Sequence, residues 1–399
     1  MTNKSDDRKR KLIETVDELK SQLAALSDFI YQHPEIGYQE YEASKLLAGF
    51  FRANGFTVET GYGGLDTAFR AVYRQGSGGP RIGLLCEYDA IENVGHACAH
   101  HLQGPCMAGA ALAVRAAAGD RPYTLEIIGT PAEEMAEGGK NIMLENGAFK
   151  DLDVALMMHG SDTTTTDIKS MACTQFAVTF TGVAAHAAIA PEKGRSALEA
   201  LMLVFNGLAY LRGHVRDDAR IHGIIDNGGQ AVNAIPEKAT ARIEVRAYDR
   251  PYLDEMIERV QRIFAGAALM TDTAYEVRRV GNFHNKIPVL TLNELLMKNA
   301  ELAEAKAIAP PREKTGSTDF ASVMYFVPGS CIRVAFVDKG VTAHSREWLA
   351  KGLSDDAHEA LLTGAKILAM TVLDLIEDGQ AVRKIRAEFD REKAKLTKN

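Results

Sequence analysis

The chain has 399 residues, 46% of them hydrophobic and 25% charged, which excludes a disordered or fibrous chain and, at roughly 150 residues per domain, points to two or three domains, of which two is the working number. Its net charge of -7 is spread along the sequence, and the one basic run, Arg8-Lys9-Arg10-Lys11, is offset by Asp6, Asp7 and Glu14, so nucleic acid is not an expected partner. No stretch approaches the roughly 18 apolar residues of a membrane span and Met1 to Lys11 lacks a signal-peptide core, so a cytoplasmic location without membrane partners is expected.

Apolar residues at Leu12, Ile13, Val16, Leu19, Leu23, Leu26 and Ile30 predict a first helix over Arg8 to Ile30. It ends at His33-Pro34-Glu35-Ile36-Gly37, and helical spacing resumes from Glu40 to Asn54. Three apolar runs then have the length of buried strands: Ile82 to Cys86, Leu125 to Ile128 and Val154 to Met158. An alanine-rich helix, Leu102 to Ala118, separates the first two. Each run ends in chemically capable residues: Glu87-Tyr88-Asp89 after the first, Glu133-Glu134 after the second, His159 after the third. This is the pattern of an α/β sheet with its site at the strand carboxyl ends.

Between Ser161 and Lys169 the chain turns polar, with four successive threonines, and a domain boundary is expected there. Beyond it, Gln175 to Thr181, Ile221 to Ile225, Ala239 to Tyr248 and Tyr275 to Val280 read as strands, with helices over Ser196 to Leu211 and Tyr252 to Ala267. The order β-α-β-β-α-β is ferredoxin-like. Helical and strand signals resume through Leu292 to Ala303 and Cys331 to Val337, so residues 171–286 are expected to be a domain inserted into one built from 1–170 and 287–399. A long amphipathic helix is predicted over Asp355 to Ile376, followed by a charged, solvated helix to Asn399.

His96-Ala97-Cys98-Ala99-His100-His101 packs four strong metal-ligand side chains into six residues between the first strand and a helix. The five cysteines, an odd number without close pairing, are expected to be reduced thiols, so one is available to a metal. Divalent transition metals take imidazole and thiolate, with carboxylate completing the shell. Glu133, Glu134 and His159 stand at neighbouring strand ends, where a sheet would bring them together.

The segments Glu87-Tyr88-Asp89-Ala90, Gly95 to His100, Pro131-Ala132-Glu133-Glu134, Met158-His159 and Ala343-His344 resemble, in order, the motifs of the aminoacylase and carboxypeptidase-like metallohydrolases. His33 to Gly37 with Glu40 resembles the family's opening motif, and Gly182 to Pro191 with Asn233-Ala234-Ile235-Pro236 resembles its lid. The likeness is to the amidohydrolase branch that includes hippurate, auxin-conjugate and aminobenzoyl-glutamate hydrolases. It implies a metallopeptidase-like catalytic domain, a central mixed sheet flanked by helices, with a lid that also dimerises. It further implies a one- or two-ion manganese or zinc centre held by Cys98, His100, Glu134, His159 and His344, with Glu133 as general base. Asp89 would support the ligands, His186 would donate to the developing oxyanion, and Asn233 and Arg246 would hold a carboxylate-bearing small substrate. A homodimer or higher homo-oligomer through the lid is the implied assembly.

Three features depart from the family's pattern: Ala99 stands where glycine is usual, His101 where an acid or amide is usual, and Ile91-Glu92-Asn93 where Leu-Pro-Gly is usual. The expected reaction is hydrolysis of a C-N bond, the amide of an N-acyl or aminobenzoyl amino acid or of a dipeptide. The altered loop motivates a second reading, hydrolytic deamination of an activated aromatic amine. A third is a catalytically silent relative that only binds a ligand.

Overall fold

The computed structural model describes residues 4–396 and divides into two compact units. One is formed by the chain up to Lys169 together with Lys286–Lys395, the other by Ser170–Asn285. The first part of the chain supplies β1 (Thr57–Thr60), β2 (Phe69–Gln75), β3 (Arg81–Cys86), β4 (Tyr123–Gly129), β5 (Val154–Ser161) and β6 (Thr165–Ser170). The second unit holds β7 (Ala172–Thr181), β8 (Arg220–Asn227), β9 (Lys238–Ala247) and β10 (Ala274–Phe283), and the chain returns with β11 (Arg312–Thr315) and β12 (Gly329–Ala335).

The first unit is built on a mixed eight-stranded sheet of order β1-β2-β4-β3-β5-β12-β6-β11. Its centre is parallel: β3 pairs with β4 and with β5, and β5 with β12, all in the same sense. Parallel strands are covered on both faces, which is why these runs read as continuously apolar rather than alternating. On β5, Met157 joins a core with Leu85, Ile128, Phe149 and Phe320, beneath the helices Gly139–Glu145 and Asp319–Phe326. Met158 faces the other way, against Gly364 of the helix Asp355–Glu377, which packs on the helices Gln103–Ala117 and Lys4–Glu18. The sheet is therefore flanked by helices, as expected.

Three sequence expectations change. The helix predicted over Arg8 to Ile30 is two, Lys4–Glu18 and Lys20–Gln32, which meet at Leu19 while the stripe Leu12, Val16, Leu23, Leu26 and Ile30 stays buried across the join. The polar stretch after Ser161, at whose end the division between the units falls, also holds an unpredicted strand: Thr164, Thr165 and Thr166 are fully buried, and β6 pairs antiparallel with β12. Threonine is β-branched and favours strands, so its hydroxyl conceals a strand from a hydropathy reading. The charged tail is a helix, Gly379–Leu396, but it buries Ile385 and Phe389, and both Glu388 oxygens accept backbone N–H groups at the start of the helix Leu290–Leu302. Residues 397–399 of that prediction lie outside the described residues.

The second unit has the expected ferredoxin-like order, an antiparallel sheet β10-β7-β9-β8 carrying the helices Ala197–Arg212 and Arg250–Thr271. Ser196 and Asp249 cap these helices, each accepting a backbone N–H three residues on. Phe176, Val178, Phe180, Ile243 and Val245 form the helix-covered face. The edge strand β8 is exposed at seven of its eight residues, Ile224 and Ile225 among them.

Candidate metal centre

The candidate donors leave the sheet at the carboxyl ends of its four parallel strands. Cys98 and His100 follow β3, Glu133 and Glu134 follow β4, His159 lies near the end of β5, and His344 follows β12. One atom each of Cys98, His100 and His159 lie within 4.8 Å of one another, and so do those of Cys98, Glu134 and His344. Cys98 Sγ is 3.5 Å from His159 Nε2, and His344 Nε2 is 3.4 Å from Glu134 Oε1. Two donors on one tetrahedral ion at ordinary bond lengths stand about 3.6 Å apart for sulfur and nitrogen, and about 3.4 Å for nitrogen and oxygen.

A transition metal fits this arrangement on a second count. His100 Nε2 is buried without a hydrogen-bond partner, Glu87 Oε2 standing 3.3 Å from it, and buried Glu134 Oε1 has the long 3.4 Å contact with His344 Nε2. Buried polar atoms are normally satisfied, and here the unsatisfied lone pairs converge. The imidazoles are also set as ligands are: His159 Nδ1 donates to Gly160 O at 2.8 Å and His100 Nδ1 to Asp89 Oδ1 at 3.0 Å, which turns each Nε2 lone pair inward. Asp89 Oδ2 accepts the Glu134 N–H at 2.9 Å, so one carboxylate fixes two candidate ligands.

Burial would raise the Cys98 thiol, but the His100 and His159 imidazoles outweigh it and bring it down to about 5, into the thiolate range. Burial likewise opposes ionisation of Glu134, and its hydrogen bond with His344 and the nearby His100 hold it at about 2. Glu133 behaves oppositely: burial, then the charges of Glu87 and Asp319, push its carboxyl well above the usual range.

Backbone geometry concentrates these donors. Ala99, between Cys98 and His100, has φ 62°, Ala132, just before the two glutamates, has φ 61°, and His344 itself has φ 68°. Non-glycine residues seldom adopt this left-handed conformation. The turns are held from outside: Glu40, fully buried, accepts the Ala132 N–H at 2.7 Å, and the His344 N–H donates to Ala97 O at 2.9 Å. His101 turns away, donating to Gly352 O at 3.0 Å with its ring 4.9 Å from Tyr31.

The other candidates lie in the second unit. His186 and Asn233 sit on paired exposed loops, with Ala187 N–H donating to Asn233 O at 3.0 Å and a bridge between His186 and Ala234. Arg246, on β9, gives Nε and a terminal nitrogen to Glu244 at 2.5 and 2.8 Å. Sequence reasoning missed Lys140 and Asp319, both fully buried beside Glu87. Neither belongs to a spacing pattern, and the one local signal is the pair Gly138-Gly139 before the lysine.

Thiolate, imidazole and carboxylate donors converging beside a further glutamate, at the ends of parallel strands, are the equipment of a metal-dependent hydrolase. The profile of a peptidase dimerisation domain matches residues 172–270. Human Xaa-Arg dipeptidase is 34% identical over 94% of this chain and 90% of its own length, and one of the two subunits of Escherichia coli p-aminobenzoyl-glutamate hydrolase is 28% identical over 91% of each. The chain belongs to the M20 family of metal-dependent amide hydrolases. Two solved structures share its fold. One is an aminobenzoyl-glutamate utilization protein from Klebsiella pneumoniae, with TM-score 0.72 and 21% identity over 91% of this chain and 98% of that one. The other is a dinuclear metal-binding M20 peptidase from Bacillus subtilis, with TM-score 0.67 and 18% identity over 90% and 99%. Of the three readings of the sequence, amide hydrolysis is the one these relatives carry. Among the described residues no helix is long and apolar enough to cross a membrane.

Proposed function

We propose that the enzyme hydrolyses the amide bond of a small N-acyl or aminobenzoyl amino acid, or of a dipeptide, whose product amino acid carries a free carboxylate. The relatives named for Xaa-Arg and aminobenzoyl-glutamate substrates support that class. The observation that carries the chemistry is the convergence of five donors on two overlapping groups that share Cys98. Cys98, His100 and His159 would hold one manganese or zinc ion, and Cys98, Glu134 and His344 a second. When bound, such ions lower the pKa of water and polarise a carbonyl oxygen.

Glu133 lies outside these two groups, with an oxygen within 4.8 Å of donor atoms of His100 and Glu134; from that position beside the donors it takes the proton of the attacking water and returns it to the departing nitrogen. Asp89 holds His100 and Glu134 in place for that step. His186 serves as oxyanion donor, and Asn233 and Arg246 as substrate holders, on the strength of the family resemblance. The exposed edge of β8 supports a homodimer made through the lid. The five cysteines stand as thiols rather than disulfides, which suits the reducing cytoplasm.

The test is a panel of dipeptides and N-acyl and aminobenzoyl amino acids, assayed for amino-acid release with added manganese or zinc. Glu133→Gln is expected to lower kcat by about 10²- to 10⁴-fold with metal content unchanged. Turnover near wild type in that variant, or release of ammonia rather than an amino acid, would overturn the reading.

A further inference from the structure

Glu87, Glu133 and Asp319 form another convergence, one oxygen of each lying within 4.8 Å of the others. By charge and donor type, three carboxylates so close together suit a divalent cation. Lys140 stands among them. It is fully buried, and its Nζ donates to Glu87 Oε1 at 2.6 Å and to Asp319 Oδ1 at 2.7 Å, while its backbone N–H donates to Asp319 Oδ2 at 3.0 Å. Gly139 permits this approach, since a Cβ there would collide with Pro131 O in the turn that carries Glu133. The second Glu87 oxygen accepts from Gln103 Nε2 at 2.7 Å and faces His100 Nε2 at 3.3 Å. One carboxylate thus separates the ammonium from the candidate metal donors.

We infer that the Lys140 ammonium is the resident cation of the Glu87–Glu133–Asp319 cluster, and that by filling it Lys140 excludes a metal ion from that side of Glu133. This rests on the reading of Glu133 as the base. A glutamate bound to a metal has its lone pairs engaged and cannot exchange protons with water and a leaving group. Lys140 is therefore a positioning residue. Its charge satisfies Glu87 and Asp319, and its position denies the cluster to a divalent ion.

The experiment counts metal. Wild type and Lys140→Met are equilibrated with manganese, freed of loosely held ions, and analysed for manganese per subunit, with kcat and KM measured on the same samples. Lys140→Met is expected to hold one additional ion, with kcat reduced at least tenfold and KM within twofold. Lys140→Arg, which keeps the charge, should retain the wild-type count. Should Lys140→Met not yield folded protein, Asp319→Asn alone and with Lys140→Met form the second comparison. The double variant removes the ion pair as a unit, leaves two carboxylates and an amide oxygen, and is expected to bind one ion more than Asp319→Asn. Equal metal counts within the folded pair overturn the inference, whatever the activity. That result leaves the role of Glu133 standing, because that role falls only if Glu133→Gln retains turnover.

Discussion

Replacing Ala99 by glycine isolates the strain in the metal loop. Ala99 has φ 62° and ψ 27°, is fully buried, and joins two candidate ligands to the helical turn His100–Leu102. For an L-residue the left-handed conformation costs about 1–2 kcal/mol, which glycine avoids. Against this relief stand about 0.4–1 kcal/mol for the greater freedom of glycine in the unfolded chain and about 0.8 kcal/mol for one lost buried methyl group. The terms nearly cancel, so Ala99→Gly is expected to change stability by less than about 1 kcal/mol. The control is Ala110→Gly, also fully buried but inside the helix Gln103–Ala117, where no strain is relieved and the loss is about 2 kcal/mol. Urea unfolding of the metal-free protein, followed by tryptophan fluorescence, reads both variants. Trp348 is the chain's one tryptophan, is 4% exposed, and stacks edge-on at 4.8 Å against Phe336 in the same unit. Equal losses for the two variants would refute the claim that Ala99 is strained. A second consequence concerns metal: glycine loosens the link between Cys98 and His100, and ordering it costs about 0.5–1 kcal/mol, a two- to fivefold weaker metal affinity.

Two further predictions concern other parts of the molecule. Burial opposes the charge of Asp167, but Arg333, Arg312 and Lys286 outweigh it and hold the carboxyl at about 2, and its side chain is only 8% exposed. A lowered folded-state pKa contributes stability that is present above the unfolded value near pH 4 and is lost as pH falls towards 2, here about 2 kcal/mol. Asp167→Asn should therefore be less stable than wild type by about that amount at pH 7, with the difference closing between pH 4 and 2; a constant difference across that window would count against the pairing. Ile224, 55% exposed on β8, should tolerate replacement by lysine in the folded lid. If β8 is the dimer edge, Ile224→Lys halves the mass seen by light scattering without altering circular dichroism, and an unchanged mass would exclude that edge.

Much of this arrangement was legible in the sequence because the physics that built it is local. Parallel strands must be apolar on both faces, so β3, β4 and β5 announce themselves as short hydrophobic runs. The polar residues just beyond each run mark the strand end where a site forms. The strand β6 escaped because a run of threonines reads as polar, and the fully buried Thr165 finds its acceptor far away, Pro310 O at 2.8 Å. That acceptor lies 145 residues away, beyond any window. Lys140 was hidden for a related reason. A lysine after two glycines reads as surface, and only the fold brings Asp319, 179 residues further on, to its side.

The left-handed residues show what the strand-end reading of the sequence left out, the backbone turns at which the donors stand. Along a strand, successive side chains point to opposite faces, so the adjacent Glu133 and Glu134 gain nothing in common from extended backbone. A residue in the left-handed region reverses the chain within one step and lets flanking side chains aim at one point. Glycine would advertise such a turn, but this chain uses Ala99, Ala132 and His344, none of which carries that signal. Positive φ at these positions survives because surrounding bonds over-determine it: Glu40 on the Ala132 N–H, Ala97 O on the His344 N–H, and the helical turn that Ala99 starts. Loosening any of the three should therefore appear first as weaker metal binding rather than as unfolding, because each tie orients candidate ligands on a sheet that the rest of the core already holds.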